Sequence, residues 1–195
     1  MYSLLIDTHL DNIHVVLFCD GKIILSDSRK SEQNHSSFTL PMIEEVLRKV
    51  NLEINQVDEL IVVNGPGSFT GVRIGVTLAK TIAFAQGSKI KTINSLQIQA
   101  ISVNVNDPKT IILSDKNGKY IGEFDGNNAL IGELKYLKND DYRNYKTEYK
   151  IYENVKLDFE RIYEYTKSLL TLNAHEVNPL YIKNIEVSSG KRSSN

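Results

Sequence analysis

The sequence predicts an α/β fold in which one plan, a strand meander followed by helices, is used twice and is reduced the second time. Three observations carry this. Short apolar runs rich in Val, Ile and Leu alternate with longer stretches of helical period. A glycine-rich turn, residues 64–73 read as NGPGSFTGVR, joins the apolar run 60–63 to the helical stretch 72–86. A strand ending in Asp, a second strand, an Asp-Gly turn and a third strand occur at the start of the chain and again after residue 109.

In chain order, residues 2–6, 13–19 and 22–25 are apolar runs of strand length, and Asp20-Gly21 between the last two is a tight hairpin signal. The first long helix is expected over residues 35–50, with Phe38, Met42, Ile43, Val46, Leu47 and Val50 on its apolar side and Glu44, Glu45, Arg48 and Lys49 in water. Ser36, Ser37 and Thr39 offer caps, and Pro41 is tolerated only near the first turn, where its missing amide costs little. After residues 60–63 comes the glycine-rich turn. Ser68 or Thr70 is expected to cap the next helix and Gly87 to close it in a left-handed conformation.

That helix is unusually apolar. Gly71, Gly75, Ala79 and Ala83 recur every four residues, so small side chains form a slowly drifting stripe flanked by Val72, Ile74, Val76, Leu78 and Ile82. At about 100° per residue the apolar arc spans roughly 200°, more than one sheet contact needs. Arg73, Thr77, Lys80 and Thr81 are left facing water, with Phe84 among them. Such a helix is either enclosed within its own domain or covered by a partner helix on its second side.

Residues 89–93 read as a strand, and Ser95 is expected to cap a helix to about residue 103. The polar stretch 104–109, containing Pro108, marks the domain boundary: 1–104 form the first lobe and 105–195 the second, smaller one. The second begins as the first does, with strands at 110–113, 119–124 and 129–131 around the turn 125–128. Residues 132–153 interleave five tyrosines with five basic residues, but Asp140, Asp141, Glu148 and Glu153 nearly cancel the charge, so a polar, partly exposed region is expected rather than an RNA platform. Asp158 caps a helix to about residue 172, and residues 188–195 are polar and expected to fray.

The glycine-rich turn does not match the common phosphate loops. A P-loop needs two glycines five apart followed by Lys, and the dinucleotide fingerprint would need a glycine at Thr70. At the end of the first strand, Asp7-Thr8-His9-Leu10-Asp11 lacks the small residues that lie against phosphates in actin-like and sugar-kinase-like phosphotransferases, and Asp11 would repel them. His9, His14, His35 and His175 are scattered, with no second histidine three or four positions from any of them, so no metal site is expected. Ser68 has no histidine nearby in sequence, and no residue is assigned a catalytic role.

Composition narrows the class further. A length of 195 residues with 41% hydrophobic content suits one large or two small domains. The net charge of -1 removes the electrostatic basis for strong independent RNA binding. The single cysteine, Cys19, excludes an intrachain disulfide and fits a reducing compartment. No N-terminal signal pattern and no apolar run near the ~20 residues of a membrane span are present, so a cytoplasmic protein is expected.

GPGSFTGVRIG, with the upstream HSSFTLPMI, resembles the TsaB (YeaZ) family, and the likeness extends to Ile6-Asp7-Thr8, to residues 114–120 (SDKNGKY) and to Pro179-Leu180-Tyr181-Ile182-Lys183. The resemblance implies a duplicated ribonuclease-H-like fold of the actin-like and sugar-kinase-like class (ASKHA). It also implies a non-catalytic subunit of the machinery that places threonylcarbamoyl on the adenosine beside the tRNA anticodon. A TsaD-type catalytic subunit would be the heterodimer partner and hold the metal and acyl donor. A TsaE-type ATPase would dock near the junction, and a TsaC-type enzyme would supply threonylcarbamoyl-adenylate from threonine, bicarbonate and ATP. This chain itself would hold no cofactor, would meet tRNA only through the complex and would form a homodimer when alone. The expected partner interface comprises His35, Phe38, Pro41, Met42, Glu45, Ser68, Phe69, Gly71, Arg73, Gly75, Thr77 and Ala79, the two helices of each partner covering roughly 1,600 Å² if the interface is of standard size. The competing readings are an independent actin-like phosphotransferase and a degenerate glycoprotease-like hydrolase.

Overall fold

The computed structural model describes residues 1–31 and 34–182; Lys183 and the tail at 188–195 lie outside them. Apolar strands at the start of the chain pair as a meander because each is joined by a turn its residues favour. β1 (Tyr2–Asp7) runs antiparallel to β2 (Asn12–Cys19), which pairs with β3 (Lys22–Lys30). The hairpin between β2 and β3 has Asp20 at φ 49° and Gly21 at φ 86°, the left-handed pair that a two-residue turn requires. β3 is nine residues long, well beyond the expected 22–25, because its alternating half-buried and exposed residues suit a sheet edge.

α1 (His35–Lys49) then returns the chain to β4 (Glu59–Val63), which lies parallel to β1 with Ser3 opposite Glu59. α2 (Phe69–Gln86) leads to β5 (Lys89–Ile93), parallel to β4. The first sheet therefore has the order β3-β2-β1-β4-β5. α1 and α2 cover one face over a core of Leu4, Ile6, Val15, Met42, Val46, Leu60, Val62, Val72 and Ala79. The cap of α2 is Ser68, whose Oγ accepts from Gly71 N at 3.2 Å, and Gly87 closes the helix at φ 67°. α1 begins one residue after Asn34 without a side-chain cap, leaving Pro41 inside the helix on its exposed side; Thr39 instead donates to His35 O at 2.7 Å.

α3 (Ser95–Ser102) is capped by Asn94, which accepts from Gln97 N at 2.7 Å, while Ser95 Oγ donates to Pro66 O at 2.5 Å and so ties the helix to the glycine-rich turn. The second lobe repeats the plan. β6 (Lys109–Asp115) pairs antiparallel with β7 (Gly118–Phe124), β7 with β8 (Leu130–Lys138), and β9 (Lys150–Glu153) lies parallel to β6. Its order, β8-β7-β6-β9, is the first sheet without the fifth strand. This is the repeated, reduced plan that the twin meanders predict and the actin-like architecture that the family resemblance implies.

Among the described residues, no long helix covers the back of the second sheet. A one-turn helix, α4 (Asn139–Tyr142), and the segment after it lie there: Tyr145 Oη donates to Glu123 Oε1 at 2.7 Å, Thr147 Oγ1 stands 2.9 Å from Thr110 Oγ1, and the rings of Tyr142 and Tyr145 stack 6.0 Å apart. Tyr142 and Tyr145 thus serve the lobe's own packing. Burial and the Glu123 hydrogen bond push the Tyr145 phenol up to about 12.

From Asp158 onward the chain leaves the second sheet. α5 (Phe159–Thr166), shorter than the expected helix to residue 172, packs on the first sheet opposite α1 and α2, with Ile162 and Tyr163 among Leu5, Val16, Phe18 and Ile61. None of the described helices is long and apolar enough to cross a membrane.

Candidate functional site

The functional questions converge on α2 and the turn before it. β4 ends at Val63, and the backbone then turns through Gly65 at φ 99° and a cis Gly65–Pro66 bond before Ser68 opens the helix. The loop after β1 and this turn touch. Ser68 N donates to His9 O at 2.7 Å, and Thr8 Oγ1 donates to Gly71 O at 2.7 Å. A Cβ at Gly67 would collide with the His9 carbonyl, at Gly71 with the Thr8 carbonyl, and at Gly75 with Thr8 Oγ1. Glycine at 67, 71 and 75 is therefore demanded by the close approach of the β1 loop.

Beneath this contact lies a buried polar cluster. Asp7 is fully buried and His9 nearly so; Asp7 Oδ1 lies 2.6 Å from His9 Nδ1 and accepts from His9 N at 3.1 Å. Burial alone would raise the Asp7 carboxyl, but the charge and hydrogen bonds of His9 outweigh it and hold the group below the usual carboxylate range. His14, opposite Asp7 in the β1–β2 register and 5.3 Å from the Phe159 ring, is pushed down by burial. Asp7 Oδ2, His9 Nε2 and His14 Nδ1 are buried with no hydrogen-bond partner among the described residues. No group of three or more His, Cys, Asp or Glu among those residues is arranged to hold a metal ion.

The twelve residues expected to form a partner interface differ in exposure. His35, Met42, Gly71, Gly75 and Ala79 are buried by the chain's own packing. Of the two alternatives for the small-residue stripe, these positions meet enclosure within the domain: Gly71 and Gly75 receive Thr8, His35 Nε2 lies 2.9 Å from Leu10 O, and Met42 and Ala79 belong to the first-lobe core. Ser68 and Phe69 line the cleft between the lobes, and the Arg73 guanidinium lies 4.7 Å from the Phe69 ring centroid. Glu45 is held on the β3 side of α1 by Arg29 and, at 2.8 Å, by Lys49; the two cations pull its carboxyl down to about 2. Phe38 is half-buried, while Pro41 and Thr77 are exposed.

What α1 and α2 do present is a different set of apolar side chains. Leu40 is 42% exposed on α1. On α2, Ile74 and Leu78 are half-buried and follow Gly71 and Gly75 around the helix on the side that meets His35 of α1. Sequence reasoning passed over Leu40 because helical period alone does not separate the outer edge of an apolar face from its buried centre. It also passed over Thr8, whose role appears only when the β1 loop meets α2.

The cleft between the lobes encloses about 910 Å³, with the turn 66–69 on one wall and Asp115, Asn117, Tyr120, Tyr136 and Lys138 on the other. Leu180, Tyr181 and Ile182 complete its lining. The sequence marks these residues only through a short degenerate motif.

Comparison with known proteins adds the family. A family model described as TsaD, tRNA N6-adenosine threonylcarbamoyltransferase, matches residues 23–129, more than half of the chain. The tRNA threonylcarbamoyladenosine biosynthesis protein TsaB of Bacillus subtilis is 34% identical over 100 residues, 51% of this chain and 44% of that protein. The protein of the same name from Buchnera aphidicola subsp. Schizaphis graminum is 32% identical over 132 residues, 66% of this chain and 62% of its own length. The chain belongs to this family, in its TsaB (YeaZ) branch. It spans about half the length of the curated TsaB relatives it matches. The solved YeaZ structure from Pseudomonas aeruginosa superposes with a TM-score of 0.75 at 19% identity, covering 92% of this chain and 99% of that one. At that identity the likeness establishes a TsaB-type fold, and the closed β1 loop described above is a feature of this chain's own residues.

Proposed function

We propose that this chain is a non-catalytic subunit that pairs with and activates a TsaD-type threonylcarbamoyltransferase for N6-threonylcarbamoylation of the adenosine beside the anticodon in tRNA. One observation carries the non-catalytic part. The loop after β1, which lies against the phosphates in actin-like phosphotransferases, is here packed through Thr8 and His9 against Gly67, Gly71 and Gly75. An anion cannot enter there without displacing backbone from backbone. The pairing part rests on family membership and on the outer apolar face of α1 and α2 at Leu40, Ile74 and Leu78. ATP and metal are assigned to the partner subunits, tRNA is met through the assembled complex, and a TsaE-type ATPase docks at the junction. In isolation the chain forms a homodimer through the same outer face.

The test is reconstitution on unmodified tRNA with TsaD-, TsaE- and TsaC-type proteins of the same organism. Modification is expected only when this chain is present, and the isolated chain is expected to show no ATP hydrolysis. Full modification in its absence, or turnover by the isolated chain that disappears with Asp7→Ala, would instead favour the independent phosphotransferase.

A further inference from the structure

Within the described residues the chain crosses between the lobes three times, and the third crossing differs from the others. The first runs from α3 to β6 and the second from β9 to α5. They lie side by side, since Asp158 N at the start of α5 donates to Ser102 Oγ at the end of α3, 2.9 Å away. Two adjacent crossings make a hinge, the arrangement about which two-lobed proteins open and close.

The third crossing is the segment from Leu172 to Ile182. Leu172 N donates to Ile90 O at 2.9 Å on the β5 edge, and Val177 is fully buried in the first-lobe core. Asn64 Nδ2 then donates to Asn178 O at 3.2 Å, and Leu180 N to Asn64 O at 2.7 Å, so the segment is laced to the glycine-rich turn from both sides. It passes so close that a Cβ at Gly65 would stand 3.1 Å from Leu180 O. The Tyr181 ring sits 5.3 Å from that of Phe69, and Ile182 packs against the second-lobe core of Leu96, Ile111, Leu113 and Phe124. Five residues after Val177, the chain has moved from one core to the other across the cleft.

We propose that residues 172–182 are an interlobe clamp that holds the cleft at one width and seals the outer side of the turn 64–68. The hinge alone leaves the lobes free to rotate, whereas a strap anchored in both cores removes that freedom. The turn is consequently gripped from two sides, by His9 and Thr8 on one and by Leu180 on the other, so the start of α2 is fixed in position. This inference stands on the geometry of the strap and does not depend on the pairing role.

The experiment measures the distance between spin labels at Thr70→Cys and Asn117→Cys, exposed positions on opposite lobes, in a Cys19→Ser background. The full chain is expected to give one narrow distance population. Ile182→Ser and Tyr181→Ala, changes at half-buried and exposed side chains, should each broaden it about twofold as the lobes gain freedom. Leu180→Pro removes the amide that donates to Asn64 O and should do the same. Hydrogen exchange supplies a second readout: the Leu180 amide should exchange about tenfold faster in Ile182→Ser with the β1 amides unchanged. Distance distributions and Leu180 exchange indistinguishable from the parent in folded Ile182→Ser and Tyr181→Ala would overturn the proposal, whether or not Leu180→Pro folds.

Discussion

Thr8 stands at the point where the loop after β1 meets α2. Its hydroxyl donates to Gly71 O, and its own carbonyl and Oγ1 fill the places where Cβ atoms at Gly71 and Gly75 would sit. Gly75 lies mid-helix, where Ala is intrinsically better by about 1 kcal/mol. Gly75→Ala is nevertheless expected to destabilise by about 1–3 kcal/mol, because the added methyl overlaps Thr8 Oγ1 inside a close-packed core. Chemical denaturation of the variant checks this, and Gly75→Ala combined with Thr8→Ala should regain part of the loss. The sequence shows the small-residue stripe plainly but not its occupant, since a glycine every fourth residue accommodates an internal loop as well as a partner helix. Asp7 was legible as the end of β1, and its damaged loop as a departure from the phosphate-binding pattern. That His9 turns inward to within hydrogen-bonding distance of it was not, because the contact depends on how the loop folds over.

Among the elements, α5 shows how a short helix is held far from its neighbours in sequence. Glu59 on β4 accepts from Lys91 Nζ at 2.9 Å and from Ser3 Oγ at 3.1 Å, and Lys91 Nζ also donates to Thr166 O at 3.0 Å at the end of α5. Tyr163 adds its hydroxyl 3.3 Å from Ser3 Oγ and stacks on Phe18 at 4.5 Å. Both charges are nearly buried, so removing one leaves the other without compensation. Lys91→Met should cost about 3 kcal/mol, whereas Lys91→Met with Glu59→Leu should restore much of that, because an apolar pair avoids the desolvation that the ion pair overcomes. Denaturant midpoints of the two variants distinguish the outcomes. Strand and helix identities were readable here from apolar period, turn residues and caps such as Ser68, Gly87 and Asp158. Their ends were less so: β3 and β8 run on as exposed edge strands whose polar residues carry little period, and α5 ends where the amides of Lys167, Ser168 and Leu169 turn back to the carbonyls of Glu164, Tyr165 and Thr166.

For the whole molecule, the twin strand orders β3-β2-β1-β4 and β8-β7-β6-β9 account for the echo in the sequence, each lobe opening on a strand that ends in Asp, Asp7 in one and Asp115 in the other. The return of the C-terminal segment to the first lobe and across the cleft has no such signature, since long-range crossings depend on contacts between distant, individually unremarkable residues. With the β1 loop packed on α2 and the small-residue stripe enclosed, the outer face of α1 and α2 is the surface on which the proposed role depends. Co-expression of this chain with the TsaD-type subunit of the same organism, followed by sizing, tests that most directly. The account predicts a stoichiometric complex that is lost when Leu40→Arg places a charge on the outer face, with the thermal transition of the variant unchanged. Co-elution of the Leu40→Arg chain as complete as that of the parent, or no complex with the parent chain at all, would contradict it.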